Sequence, residues 1–136
     1  MVEGLSHITF VVADLGRTAK LLRDVFDAVE LYDSGDAIFS RSREMFFDIG
    51  GVWVAIMEGE ASPARGYDHV AFKIPEGAFE AYLERVRAAG VDMMEPRPRV
   101  EGEGLSIYFH DFDNHLFELH TGTLPERLAR YAQGKP

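Results

Sequence analysis

The sequence predicts an α+β fold of two βαβββ modules, which form a cupped mixed β-sheet with the helices on its outer face. Three observations carry this expectation. The order strand, helix, short strand, hairpin runs twice along the 136 residues, and a repeat of this size outweighs any single local assignment. Both copies open on a histidine followed by alternating apolar residues, His7-Ile8-Thr9-Phe10-Val11-Val12 and His69-Val70-Ala71-Phe72-Lys73-Ile74. Both also end on a hairpin signal with a turn of glycine or Asp/Asn residues, Gly50-Gly51 and Asp113-Asn114. One domain over 1–136 is expected, with module one at about 4–58, module two at about 66–120 and a helical tail over 121–136.

In chain order, His7 to Val12 forms the first strand and Asp14 caps the helix that follows, from about Gly16 to Val29. Leu22, Val25, Phe26 and Val29 fall on one face of that helix. Leu31-Tyr32 is a short strand, and Asp33 to Asp36 a loop. Glu44 to Ile49 and Val52 to Met57 are the arms of the first hairpin. Glu58 to Gly66, with its Gly, Ser and Pro, is a linker. Module two repeats the series. A helix from about Gly77 to Ala89 buries Phe79, Tyr82, Leu83 and Val86 and stops at Gly90. Val91 to Met94 is the short strand, Pro96 to Gly104 the loop, and Ser106 to His120 the closing hairpin. In that hairpin Ile107, Phe109, Phe117 and Leu119 share an apolar face. Ser106, Tyr108, His110, Leu116, Glu118 and His120 share the other.

Composition narrows the function. A net charge of −9 disfavours nucleic acid and anionic membranes as partners, although a small anionic substrate can still find a locally positive pocket. With no cysteine there is neither a disulfide framework nor a thiolate nucleophile. The opening Met1-Val2-Glu3-Gly4 lacks a basic leader, and no stretch reaches membrane-spanning length, so a soluble cytoplasmic protein is expected.

The repeat also implies a metal site. If Ile8, Phe10 and Val12, with Val70, Phe72 and Ile74, pack under the helices, the alternate residues line the concave face. The symmetry-related inward positions are then His7, Ala55, His69 and Glu118. Three of these are good ligands, and the fourth is small enough to leave room. Two imidazoles and a carboxylate with open positions suit a divalent ion that must also bind substrate and water. His110, His115 and His120 are read as solvent-facing or supporting residues.

With these residues in place the chain resembles the vicinal oxygen chelate superfamily, which includes glyoxalase I, extradiol dioxygenases and fosfomycin-resistance enzymes. The blocks Gly4 to Thr9, Trp53 to Met57, Glu101 to Phe109 and Phe117 to Leu124 are similar to its fosfomycin-resistance branch. Arg43-Glu44-Met45-Phe46-Phe47 is similar to the FosX-type hydrolases in that branch. The resemblance implies the glyoxalase/bleomycin-resistance/dioxygenase fold and Mn2+ as cofactor, other divalent metals remaining possible. It further implies that Glu44 activates water to open the epoxide of fosfomycin, a small phosphonate. Thr9, Ser106 and Tyr108, on the concave side, match family positions that contact the phosphonate, and Arg127 matches an arginine in the family's tail. Trp53 and Tyr67 are expected to wall the pocket. Arg97 and Arg99 lie near a family lysine in uncertain register and are given no role. A homodimer with the site shared between subunits is also implied, with pairing inside one chain as the alternative. Thiol transfer to the epoxide, iron-dependent dioxygenation and non-catalytic drug binding stay open as other functions.

Overall fold

β1 (His7–Val12) alternates as its sequence requires. His7, Thr9 and Val11 are exposed, Ile8 and Phe10 are half-buried, and Val12 is fully buried. Helix α1 (Leu15–Phe26) starts where the Asp14 carboxylate accepts from Arg17 N at 3.0 Å. It buries Leu21, Leu22, Val25 and Phe26 against β3 (Glu44–Ile49) and β4 (Val52–Glu58). The computed structural model describes residues 1–98 and 100–134. They divide into two compact units, 1–65 with 111–115 and the remainder, 66–110 with 116–134.

The first helix ends earlier than expected. Asp27 turns left-handed at φ 55°, and its N–H bonds to Leu22 O. Val29 therefore does not extend the buried helical face. It opens β2 (Val29–Asp33), which is longer than Leu31-Tyr32, and it is 60% exposed. The hairpin β3–β4 closes on Gly50 and Gly51, both at positive φ, the backbone a two-residue hairpin turn demands. β1 pairs parallel to β4, giving a four-stranded mixed sheet in the order β1-β4-β3-β2.

Unit 2 repeats the pattern as β5 (His69–Lys73), α2 (Phe79–Ala88), β6 (Asp92–Met93), β7 (Ser106–His110) and β8 (Leu116–His120). Its sheet runs in the order β5-β8-β7-β6. The first turn expected for α2 is instead a 3-10 turn over Glu76–Ala78. Phe79, Leu83 and Val86 are buried as predicted, but Tyr82 is only half-buried, with the Arg85 guanidinium over its ring at 4.5 Å. Ile107, Phe109, Phe117 and Leu119 are each at most 2% exposed. Exposed residues on neighbouring strands of this face would forfeit about 1.5–3 kcal/mol per large side chain. The tail carries α3 (Leu124–Tyr131), capped by Thr123. No helix among the described residues is long and apolar enough to cross a membrane.

Candidate active site

Strand register assembles the candidate residues row by row. In unit 2, Ala71, Glu118 and Tyr108 lie side by side across β5, β8 and β7, and Lys73, His120 and Ser106 form the next row. In unit 1 the matching rows are Thr9, Ala55 and Phe46, then Val11, Met57 and Glu44. Ala55 therefore stands where Glu118 stands, as the sequence repeat implied. The register adds that Glu44 occupies the place of Ser106.

His69 and Glu118 meet, His69 Nε2 lying 3.1 Å from Glu118 Oε1. On the other side of the ring, Nδ1 lies 2.7 Å from the Tyr67 carbonyl oxygen. A carbonyl can only accept, so Nδ1 carries the hydrogen in the neutral ring and Nε2 turns its lone pair towards the carboxylate. Two acceptors at that distance require a proton or a cation between them. Two donors each about 2.1 Å from one metal, and at a right angle, are about 3.0 Å apart, which is the spacing seen. This fixing of the distal nitrogen by a carbonyl is what metal-binding histidines need. Glu118 is 6% exposed, and its Oε2 accepts from Ser106 Oγ at 2.6 Å.

Three neighbours of this pair, Tyr67, Ser106 and Tyr108, line a cleft of about 350 Å3 in unit 2 together with Arg97 and Arg127. Its size is within the range of about 300–1,000 Å3 usual for small-ligand sites. Four of the residues expected to meet substrate are thus brought together, and Arg97, which the sequence left without a role, joins them. Arg99 lies outside the described residues. Tyr67 donates its hydroxyl to Tyr108 at 3.2 Å. Burial, the Tyr67 hydroxyl and the Glu118 carboxylate all push the Tyr108 phenol above its ordinary range, so it stays neutral and keeps its proton.

In unit 1, Ser6 Oγ lies 2.9 Å from His7 Nδ1, and the ring leans on Trp53 with centroids 4.2 Å apart. Trp53 also meets Phe46 edge-on. Thr9 is exposed on the same face of β1. Glu44 is 8% exposed, and its backbone is gripped twice by Ser34, whose Oγ accepts from Glu44 N while its N–H donates to Glu44 O. The neighbouring Arg43 is taken up by Glu58 and, at 3.6 Å, by Asp36. The hydrogen bond from Arg43 holds the Glu58 carboxyl below the usual carboxylate range. Among the described residues no side chain hydrogen-bonds the Glu44 carboxylate, so its lone pairs are available to a water.

Among the described residues, no three His, Asp or Glu side chains of one chain are arranged to hold a metal ion. The remaining histidines are more embedded than a solvent-facing reading allows. His110, at the end of β7, is 6% exposed, and His115 is held by Asp111 at 2.8 Å and packs on Phe10. His120 bonds to Ser106 at 2.7 Å. Strand alternation from Glu118 sets His120 on that same face in the sequence, and the bond to Ser106 fits its reading there as a supporting residue.

Residues 4–119 match the model of the Glyoxalase/Bleomycin resistance protein/Dioxygenase superfamily. The chain is 62% identical over 134 residues to the fosfomycin resistance protein FosX of Mesorhizobium japonicum, covering 98% of this chain and 96% of that one. It is 56% identical over 131 residues to the FosX of Listeria monocytogenes, covering 96% and 98%. A crystal structure of a Glu-to-Gln variant of FosX from Listeria monocytogenes, complexed with Mn(II) and 1S,2S-dihydroxypropylphosphonic acid, superposes with a TM-score of 0.87. The identity there is 53%, over 96% of this chain and 99% of that one.

Proposed function

This chain belongs to the glyoxalase/bleomycin resistance protein/dioxygenase superfamily, and on that premise we propose that it is a Mn(II)-dependent fosfomycin hydrolase. It opens the epoxide with water to a vicinal diol and so confers resistance to the drug. The observation that carries the site is the facing pair of lone pairs on His69 Nε2 and Glu118 Oε1, a donor set suited to a divalent cation. The FosX relatives, and the Mn(II) and dihydroxypropylphosphonic acid in the Listeria structure, support the choice of ion and product.

In this reading His7, His69 and Glu118 hold the metal, and the small Ala55 leaves its neighbourhood clear. When bound, the ion supplies Lewis acidity to the oxygen that departs from carbon and charge balance to the phosphonate. The chain's own residues do the rest. Thr9, Tyr108 and Arg127 donate to the phosphonate, Arg127 through a planar fork suited to such oxygens, while Ser106, its one proton given to Glu118, lines the cleft beside them. Glu44 takes one proton from a water whose oxygen bonds to the carbon beside phosphorus. The bond from that carbon to the epoxide oxygen breaks, and the freed oxygen takes up a proton to complete the diol. Trp53 and Tyr67 wall the substrate and limit competing water.

The partner is a small phosphonate epoxide, and the assembly a cytoplasmic homodimer that shares its sites. His7 and Glu44 of one protomer then serve His69 and Glu118 of the other. Glu44→Gln under saturating Mn(II) should keep metal and substrate affinity while kcat falls on the order of 100- to 10,000-fold. His69→Ala should lose Mn(II) affinity. Parent-rate turnover by Glu44→Gln, or a thiol adduct in place of the diol in the product mass spectrum, overturns the assignment.

A further inference from the structure

The strand alternation that presents Glu118 returns His120 to the same face of β8, where the register sets it beside Ser106. Ser106 Oγ lies 2.6 Å from Glu118 Oε2 and 2.7 Å from His120 Nδ1. A hydroxyl has one proton, and an ionised carboxylate can only accept. The proton therefore goes to Glu118, and His120 Nδ1 must carry a hydrogen that it gives to Oγ. Two further contacts agree. Nδ1 also faces Glu118 Oε2 at 3.3 Å, again an acceptor, and Nε2 faces Arg127 Nη2 at 3.5 Å, a group that can only donate.

Space for the ring is made by two glycines. A Cβ on Gly122 would stand 2.7 Å from His120 Nε2. One on Gly104, whose φ is +76°, would stand 2.6 Å from Gly122 N and 3.2 Å from His120 Cε1. Neither position tolerates a side chain without displacing backbone or imidazole.

We propose that His120 is a positioning residue for the carboxylate of Glu118: its Nδ1–H, acting through Ser106, holds Oε2 and so commits Oε1 to the side shared with His69. The inference rests on the reading of His69 and Glu118 as metal ligands. Without the imidazole the Ser106 hydroxyl is free to rotate its proton away, and the carboxylate loses its fixed orientation.

The test is Mn(II) affinity of the full-length protein, read from the electron paramagnetic resonance of free Mn(II), which needs no turnover. His120→Ala should weaken binding about tenfold, the usual cost of losing a group that orients a ligand. His120→Asn places an amide N–H where Nδ1–H was and should bind within about threefold of the parent, while His120→Gln, whose donor lies further out, should resemble His120→Ala. In a Ser106→Ala background, His120→Ala should cost nothing more, since its effect passes through that hydroxyl. Parent affinity in His120→Ala, no rescue by Asn, or a full additional loss in the double variant overturns the proposal. Should His120→Ala fail to fold, long-range 1H–15N spectra of the histidine-labelled, metal-free parent at pH 8 decide it. A hydrogen on Nδ1 of His120 supports the inference, and an Nε2–H tautomer with Nδ1 bare overturns it. His69→Ala runs alongside. Unchanged Mn(II) affinity there brings down the ligand assignment itself, whichever way His120 behaves.

Discussion

The Tyr67 carbonyl decides which nitrogen of His69 meets Glu118, and in the proposed site that one backbone group leaves Nε2 the lone pair a metal ligand needs. In the proposed site Arg127 is the comparable residue on the substrate side. It is half-buried at the cleft, with Tyr131 beneath its guanidinium at 5.9 Å. A charged hydrogen bond to an anion contributes roughly 1.5–3 kcal/mol, so Arg127→Ala should raise KM for fosfomycin about 10- to 100-fold, with a smaller change in kcat. Steady-state kinetics check this, and an unchanged KM removes Arg127 from the binding set. His69 was singled out by its place in the repeat, Arg127 by the family resemblance alone. His7, His69 and Glu118 could be chosen because a two-residue period and a repeat are arithmetic on the sequence. The bonds that orient them could not, because a carbonyl and a hydroxyl come within reach only after the strands have paired.

Elements followed their local rules where one face had to be buried, and departed from them at their ends. Helix α1 began at the capping aspartate the sequence offered, and it stopped early because Asp27 adopts the left-handed conformation and ties back to Leu22 O. Apolar spacing cannot see that stop, since Val29 continues the helical pattern by coincidence while lying on a strand. Two substitutions separate cap from core. Asp14→Ala removes the bond to Arg17 N and should cost about 1 kcal/mol. Leu22→Ala opens a cavity at a side chain only 1% exposed and should cost about 2–5 kcal/mol. Urea denaturation with unchanged m-values measures both, and equal losses would contradict the packing described for α1. The short strands β2 and β6 were placed less well than the hairpins, because the glycine and Asp/Asn turns punctuate a hairpin and nothing comparable bounds a lone edge strand.

For the whole molecule the question is where a complete set of residues comes from, since unit 1 carries His7 and Glu44 while unit 2 carries His69 and Glu118. A shared homodimer makes a sharp prediction. Mixing the inactive Glu44→Gln and His69→Ala proteins and letting subunits exchange should restore about a quarter of parent activity. Half the dimers are mixed, and each then holds one wholly intact site. If each chain pairs its own two modules, every site keeps a defect and activity stays absent. The sequence by itself determined the module order, which side chains share a strand face and the chemical types available there, because strand alternation and repeat spacing are properties of the covalent chain. Only the tertiary structure decided which nitrogen of His69 and of His120 carries the hydrogen, which oxygen of Glu118 faces His69, and that two glycines make way for His120. Those outcomes depend on separations of a few tenths of an ångström between residues far apart in sequence, and it is packing that sets them.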